Sequence, residues 1–282
     1  MLLSLLACGQ SSPSTFVDTL RVVAIQSEPA EISPAEENAK VNILLADPLQ
    51  NGAEMLIWSC TNFGEGCLEK EFYADNFDLW IRTYERERLI TTVPLEVPLV
   101  LSGVLSDFPN EDLPFQGSLL WVLACEPNVC PIIEEVRSGD FDPEPFSDPF
   151  SMLETLPFNG VSLAFRSLNL SLRPEEERIR NPFITPQFDL PLQLSVEESQ
   201  ELEFSYELNG IPNEDSLIYG YASVGGFMES SRGNAQLQEE SGRVLLEWFA
   251  GETVSEGEVY VVVENGSGGV GFWTAEASVS EN

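Results

Sequence analysis

The most reactive side chains in this sequence include 47 Asp and Glu carboxylates and five cysteines, and no histidine accompanies them. The commonest general base is therefore missing, together with Ser-His-Asp and Cys-His nucleophiles and every His-ligated zinc or haem site. Catalysis would have to rest on a pair of carboxylates, as in glycoside cleavage, or on a Ser-Lys pair. The two lysines, Lys40 and Lys70, stand in no Ser-x-x-Lys spacing, and no G-x-S-x-G elbow is present. Carboxylates are so numerous that no pair stands out. No catalytic residue and no cofactor is expected.

Three further patterns could carry chemistry. Gly266-Ser267-Gly268-Gly269-Val270-Gly271 has the G-x-G-x-x-G spacing of a dinucleotide loop. Such a loop needs a helix after its glycines and an acid about 20 residues further on. Only 11 residues follow Gly271, and Phe272-Trp273-Thr274-Ala275 reads as a strand. A hairpin with Asn265-Gly266 in its turn is expected instead. Asp140, Asp142 and Glu144 could offer calcium hard oxygen ligands, but they lack the glycine turn and distal bidentate Glu of a calcium loop. A solvated loop pinned by Phe141, Phe146, Phe150 and Phe158 is expected there, with calcium or a partner contact as alternatives. Trp80, Trp121, Trp248 and Trp273 could stack on sugars, although aromatics on strands more commonly pack in cores.

Any such groups must be positioned by a folded scaffold. With 13 Lys and Arg set against the acids, the net charge is −34, which leaves no electropositive footprint for a nucleic acid. A hydrophobic content of 43% is that of a folded protein rather than of an acidic disordered tail. The apolar residues recur with a period of two. Glu201-Leu202-Glu203-Phe204-Ser205-Tyr206-Glu207-Leu208 alternates without a break, as a strand with one wet face does. Leu20–Ile25, Val41–Ala46, Met55–Cys60, Leu119–Cys125, Val161–Leu170, Leu217–Tyr221, Val244–Phe249 and Val259–Val263 are similar runs. Turn-forming residues separate them, so they read as short antiparallel strands of β-sandwiches. Pro174-Glu175-Glu176-Glu177 has a helix-start composition that Pro182 stops, giving a turn or two in a connection.

The fold class expected is all-β: two immunoglobulin-like antiparallel β-sandwiches joined by a Pro-rich connection, after an N-terminal tether at 8–18. The first sandwich spans 19–172, with an acidic Pro/Phe-rich insertion at 139–160. The linker is 173–186 and the second sandwich 187–282. Within that plan four cysteines can be paired. One zinc on Cys60, Cys67, Cys125 and Cys130 is disfavoured by the spacings C-x6-C and C-x4-C, which miss the C-x2-C of zinc ribbons. Cys60 ends a strand in the C position and Cys125 one in the F position, and these run antiparallel as neighbours. Their ends therefore lie roughly 15–20 Å apart, beyond the ~7 Å a disulfide spans. The pairs Cys60–Cys67 and Cys125–Cys130 are expected.

Cys8 is left over. It follows Leu5-Leu6-Ala7, and the run resembles the lipobox of bacterial lipoproteins, in which the cysteine is diacylated and becomes the mature N-terminus. The resemblance implies lipid attachment at Cys8, a signal-peptide remnant at 1–7 and Ser11-Ser12-Pro13-Ser14 as part of the tether. Gly9 replaces the Asp that commonly signals inner-membrane retention, so the outer membrane is the expected location. Seven residues precede Cys8, fewer than the roughly 15–30 of a signal peptide, which points to a start codon further upstream. No stretch after the first eight residues has the ~20 apolar residues of a spanning helix.

Thr19-Leu20-Arg21-Val22-Val23-Ala24-Ile25, Glu28-Pro29-Ala30-Glu31-Ile32-Ser33-Pro34, Leu45-Ala46-Asp47-Pro48, Trp58-Ser59-Cys60, Arg180-Asn181-Pro182 and the hairpin 260–273 carry a wider resemblance. The layout resembles lipoproteins with immunoglobulin-like domains from myxobacteria-like Gram-negative bacteria, a group without an assigned activity. That resemblance implies fold and location, and no mechanism. The function expected is that of a non-enzymatic, lipid-anchored envelope protein with a protein or glycan ligand. The alternative is a carboxylate-based glycan hydrolase or lyase, or a carbohydrate-binding module. The acid-coated, lysine-poor surface also suits saline surroundings, where screening shortens electrostatic range to ~10 Å or less.

Overall fold

A computed structural model describes residues 17–33, 39–60, 77–84, 90–94, 115–138, 156, 159–171, 173–227 and 234–281. The first sandwich contains β1 (Arg21–Glu28), β2 (Glu31–Ile32), β3 (Lys40–Ala46), β4 (Ala53–Cys60), β5 (Phe77–Tyr84), β6 (Ile90–Pro94), β7 (Phe115–Cys125), α1 (Pro131–Ser138) and β8 (Val161–Leu170). One sheet has the order β1-β3-β6 and the other β2-β8-β7-β4-β5. The opening strand is split: β1 pairs antiparallel with β3, whereas β2 crosses to the other sheet and runs parallel to the last strand, β8. That strand order is immunoglobulin-like. Ile25, Val41, Ile43 and Leu45 of the first sheet meet Met55, Ile57, Leu120 and Val122 of the second in the core.

The second sandwich repeats the plan with β9 (Phe183–Pro186), β10 (Leu192–Ser195), β11 (Ser199–Glu207), β12 (Ser216–Ala222), β13 (Gly226–Phe227), β14 (Asn234–Gln236), β15 (Ser241–Phe249), β16 (Ser255–Asn265) and β17 (Val270–Ser280). Its sheets are β13-β15-β11-β9 and β10-β17-β16-β12-β14, with β10 parallel to β17. The alternation in β11 is realised as read: Leu202, Phe204 and Tyr206 are buried against Ile218, Val261 and Val263, while Glu201 and Glu207 face solvent. Gly220 is forced by packing, because a Cβ there would lie 2.7 Å from the Phe227 ring. The connection holds one 3-10 turn at Glu175–Glu177, as expected. It ends at Pro182 rather than at 186, since Phe183–Pro186 already pairs with β11.

The two sandwiches lie side by side, sheet against sheet. Ala24, Leu44 and Ala46 on the outer face of β1 and β3 pack on Tyr260, Val262 and Val270 on the outer face of β16 and β17. The sequence cause is that Ile43-Leu44-Leu45-Ala46 and Val259–Val263 are apolar on both faces, as strands covered on both sides must be. A register shift between Val22 and Ala24 lets Val23 and Ala24 both join this seam. Val17 is 2% exposed in the seam, and its N–H donates to the Ala222 carbonyl at 2.8 Å. The expected tether at 8–18 therefore ends before Val17. The seam thus makes four stacked sheets out of two sandwiches.

On the far side, the five-stranded sheet of the first sandwich carries Leu56, Trp58, Trp121 and Leu123 outward, and α1 covers them with Ile132 and Ile133. This helix has Pro131 in its first turn, Glu134 at its positive end and Arg137 at its negative end. Arg137 also pairs with Glu54 of β4 at 2.6 Å.

Candidate functional site

Buried and half-buried polar side chains gather at the joint between the sandwiches. Glu31 in β2 is fully buried and accepts from Arg173 Nε at 2.9 Å, from Arg173 Nη2 and from the Ile179 N–H at 2.9 Å. Burial alone would raise its pKa. The Arg173 guanidinium, the Ile179 N–H and the Ser171 hydroxyl outweigh that and hold the carboxyl below its ordinary value. Arg178 Nε donates to the Arg173 carbonyl at 2.9 Å within the connection, and the bonds of Arg173 and Ile179 to Glu31 tie that connection to the first sandwich.

Beside it sits the turn between β16 and β17. Asn265, buried, uses its whole amide: Nδ2 donates to the Arg180 and Leu208 carbonyls, and Oδ1 accepts from the Ser267 and Gly269 N–H groups. The glycine-rich motif is thus a hairpin turn, and its glycines answer to close neighbours rather than to a phosphate. Gly268 has φ 103°, with the Asn169 amide where a side chain would go, and a Cβ on Gly269 would meet the Arg180 carbonyl at 2.7 Å. Nearby, Tyr219 donates to Glu264 at 3.0 Å. Burial first, and the Glu264 charge second, push the Tyr219 hydroxyl well above its ordinary pKa, so it remains a donor.

Among the described residues, two of the surface clefts are lined by acids. One, of about 370 Å³, is lined by Gln50 of the first sandwich together with Pro191–Gln193, Glu256–Glu258 and Glu276–Ser278 of the second. Glu258 and Glu276 stand directly opposite in the β16–β17 register, an arrangement that like charges resist. Glu258 is half-buried and held by Ser223 Oγ at 3.2 Å and Tyr260 OH at 3.3 Å, whereas Glu256 and Glu276 are exposed. Such a floor can attract a cationic group or present two acids to a polar ligand. The other cleft, of about 480 Å³, is lined by Glu207, Asn209, Gly210, Ile211, Glu240 and Ser241. Among the described residues, no group of three or more Cys, Asp or Glu side chains could hold a metal ion.

The sequence-derived candidates fall in several places. Cys125 and Cys130 form a disulfide with Cα atoms 6.0 Å apart, tying β7 to the start of α1. Cys60 ends β4 opposite Leu119, six positions from Cys125 along β7, which is the separation that ruled out their pairing. The Cys60 side chain and Cys67 lie outside the described residues, as do Cys8, Asp140, Asp142, Glu144 and the Trp80 side chain. Trp121 and Trp248 are buried, Trp248 donating Nε1 to the Val224 carbonyl at 2.9 Å, and Trp273 packs on Phe188 and Phe204. These three serve cores and offer no sugar platform. The buried Glu31–Arg173 pair and the opposed Glu258 and Glu276 escaped sequence reading. The register of β16 and β17 was the only signal for the latter, and the hairpin reading already contained it.

No protein-family model and no curated protein matches the sequence. Among solved structures, the chain is similar to E. coli alpha-2-macroglobulin in its native conformation, with 8% identity and a TM-score of 0.27 over 93% of this chain and 17% of that one. It is similar to Dpr2 Ig1-Ig2, solved in complex with DIP-Theta Ig1-Ig3, with 8% identity and a TM-score of 0.28 over 95% and 96% of the two chains. A third similarity, to the SrpA adhesin of Streptococcus sanguinis, has 11% identity and a TM-score of 0.24 over 37% of this chain and 57% of that one. The chain thus spans about a sixth of the length of the alpha-2-macroglobulin it matches. The immunoglobulin-like topology is read from the strand order of the molecule itself.

Proposed function

We propose that this protein is a non-enzymatic binding or structural component of a bacterial envelope, attached through a lipid on Cys8 and presenting two fused immunoglobulin-like sandwiches to a protein or glycan ligand. The observation that carries the reading is how the chemistry-capable side chains are used. The described tryptophans and the Glu31–Arg173 ion pair hold cores and the joint together, and no histidine exists to build a nucleophile or base. The lipobox-like Leu5-Leu6-Ala7-Cys8 supports attachment, and the lipoprotein resemblance supports an outer-membrane setting. Metabolic labelling with an alkyne fatty acid tests the anchor: label and membrane-fraction recovery are expected for the wild type and loss of both for Cys8→Ser. A wild-type chain that takes up no label refutes the anchor.

A second reading is favoured by one feature, the opposed Glu258 and Glu276 in a cleft, which is the minimum a glycan hydrolase requires. A general acid also needs an enclosing apolar pocket, and Glu276 is exposed. Turnover of a panel of bacterial glycans that disappears in Glu258→Gln would establish hydrolysis and overturn the non-enzymatic reading.

A further inference from the structure

The joint has a property that holds whether or not the chain is anchored. We infer that the turn of residues 265–270 is a latch that fixes the angle between the two sandwiches, making a rigid body from domains that the stretch 171–182 between β8 and β9 would leave free to swing. Interfaces between domains of one chain usually permit relative motion unless they are large and hydrophobic. Here four side chains add five directional hydrogen bonds to the apolar seam. From the first sandwich, Asn169 Nδ2 donates to the Ser267 carbonyl at 2.9 Å and Arg166 Nη2 to the Gly268 carbonyl. Gln26 Nε2 donates to the Val270 carbonyl at 2.6 Å. From the connection, Asn181 reaches both sides, donating to the Ser27 carbonyl at 2.7 Å and accepting from the Val270 N–H at 3.0 Å. Asn265 sets the shape of the turn from within, and the glycines let Asn169 and the Arg180 carbonyl approach its backbone. Sliding or tilting the seam would break all of these together, so the apolar face has one permitted register.

Residual dipolar couplings on the deuterated full chain read this directly. In the wild type, amides of both sandwiches are expected to fit one alignment tensor. In the Asn169→Ala/Asn181→Ala variant, whose substituted positions belong to neither sandwich core, the second sandwich is expected to lose the shared tensor and show a smaller one of its own. Two tensors in the wild type, or one unchanged tensor in the variant, would overturn the latch. Should the variant lose the dispersed amide spectrum of either sandwich, the wild-type measurement decides alone.

Discussion

Replacing Arg173 with leucine should destabilise the protein in a way that reverses its response to acid. In the native state the Glu31 carboxylate is 0% exposed and receives three donors from Arg173 and Ile179. Arg173→Leu removes two of them and the cation paired with the carboxylate. Removing one partner of a buried pair costs about 3–5 kcal/mol. Because the Arg173 side chain is itself 19% exposed, the lower end is the working value, which for sandwiches of this size lowers Tm by roughly 6–12 °C. The wild-type carboxyl has a folded pKa below its unfolded one. Its contribution is therefore fully present above the unfolded value and lost as pH falls through the folded value. In Arg173→Leu burial dominates instead, the folded pKa moves above the unfolded one, and the deficit shrinks as acid neutralises Glu31. Calorimetric scans of wild type, Arg173→Leu and Glu31→Gln/Arg173→Leu from neutral pH to about pH 4 check this. A deficit that stays constant with pH, or a double variant as damaged as the single at neutral pH, would refute the reasoning.

The remaining predictions concern other layers of the stack. Trp248→Ala, which empties a fully buried site and leaves the Val224 carbonyl without its donor, should cost about 3–5 kcal/mol in chemical denaturation; a loss under about 1 kcal/mol would contradict the core assignment. Opening the Cys125–Cys130 bridge by paired Cys→Ala substitution should cost about 2 kcal/mol, the loop being five residues long. Non-reducing peptide mapping should recover that bridge, and a Cys60–Cys125 cross-link would contradict the observed register. With a net charge of −34, stability and solubility should rise from about 0.01 M toward 1 M salt as repulsion is screened, and a steady decline over that range would remove the saline-habitat argument.

Local periodicity made much of the scaffold legible. The alternation in β11 placed Leu202 and Phe204 inward, and Asn265-Gly266 marked the hairpin. The seam was legible in principle, because Val259–Val263 is apolar on both faces and a one-sided sandwich strand needs only alternate positions covered. Helix α1 escaped because two turns hold too few residues for a helical period to stand out beside the preceding strand. The joint was illegible for a different reason. Glu31 and Arg173 lie 142 positions apart, and Asn169 and Ser267 98 apart, so nothing local marks them as partners. The sequence shows which residues want burial, whereas only the fold shows which polar groups meet there.

Side-by-side packing also sets how far the molecule can reach. Sandwiches strung end to end add their lengths, but here both occupy the same level and the connection turns back at one end. Strands β7, β16 and β17 have 11 residues each, which corresponds to about 37 Å. Four sheets spaced about 10 Å apart give a body of nearly equal breadth. A molecule of this shape is a low block rather than a stalk. Any contact such a block makes would lie within one sandwich-height of its base rather than at a distant tip.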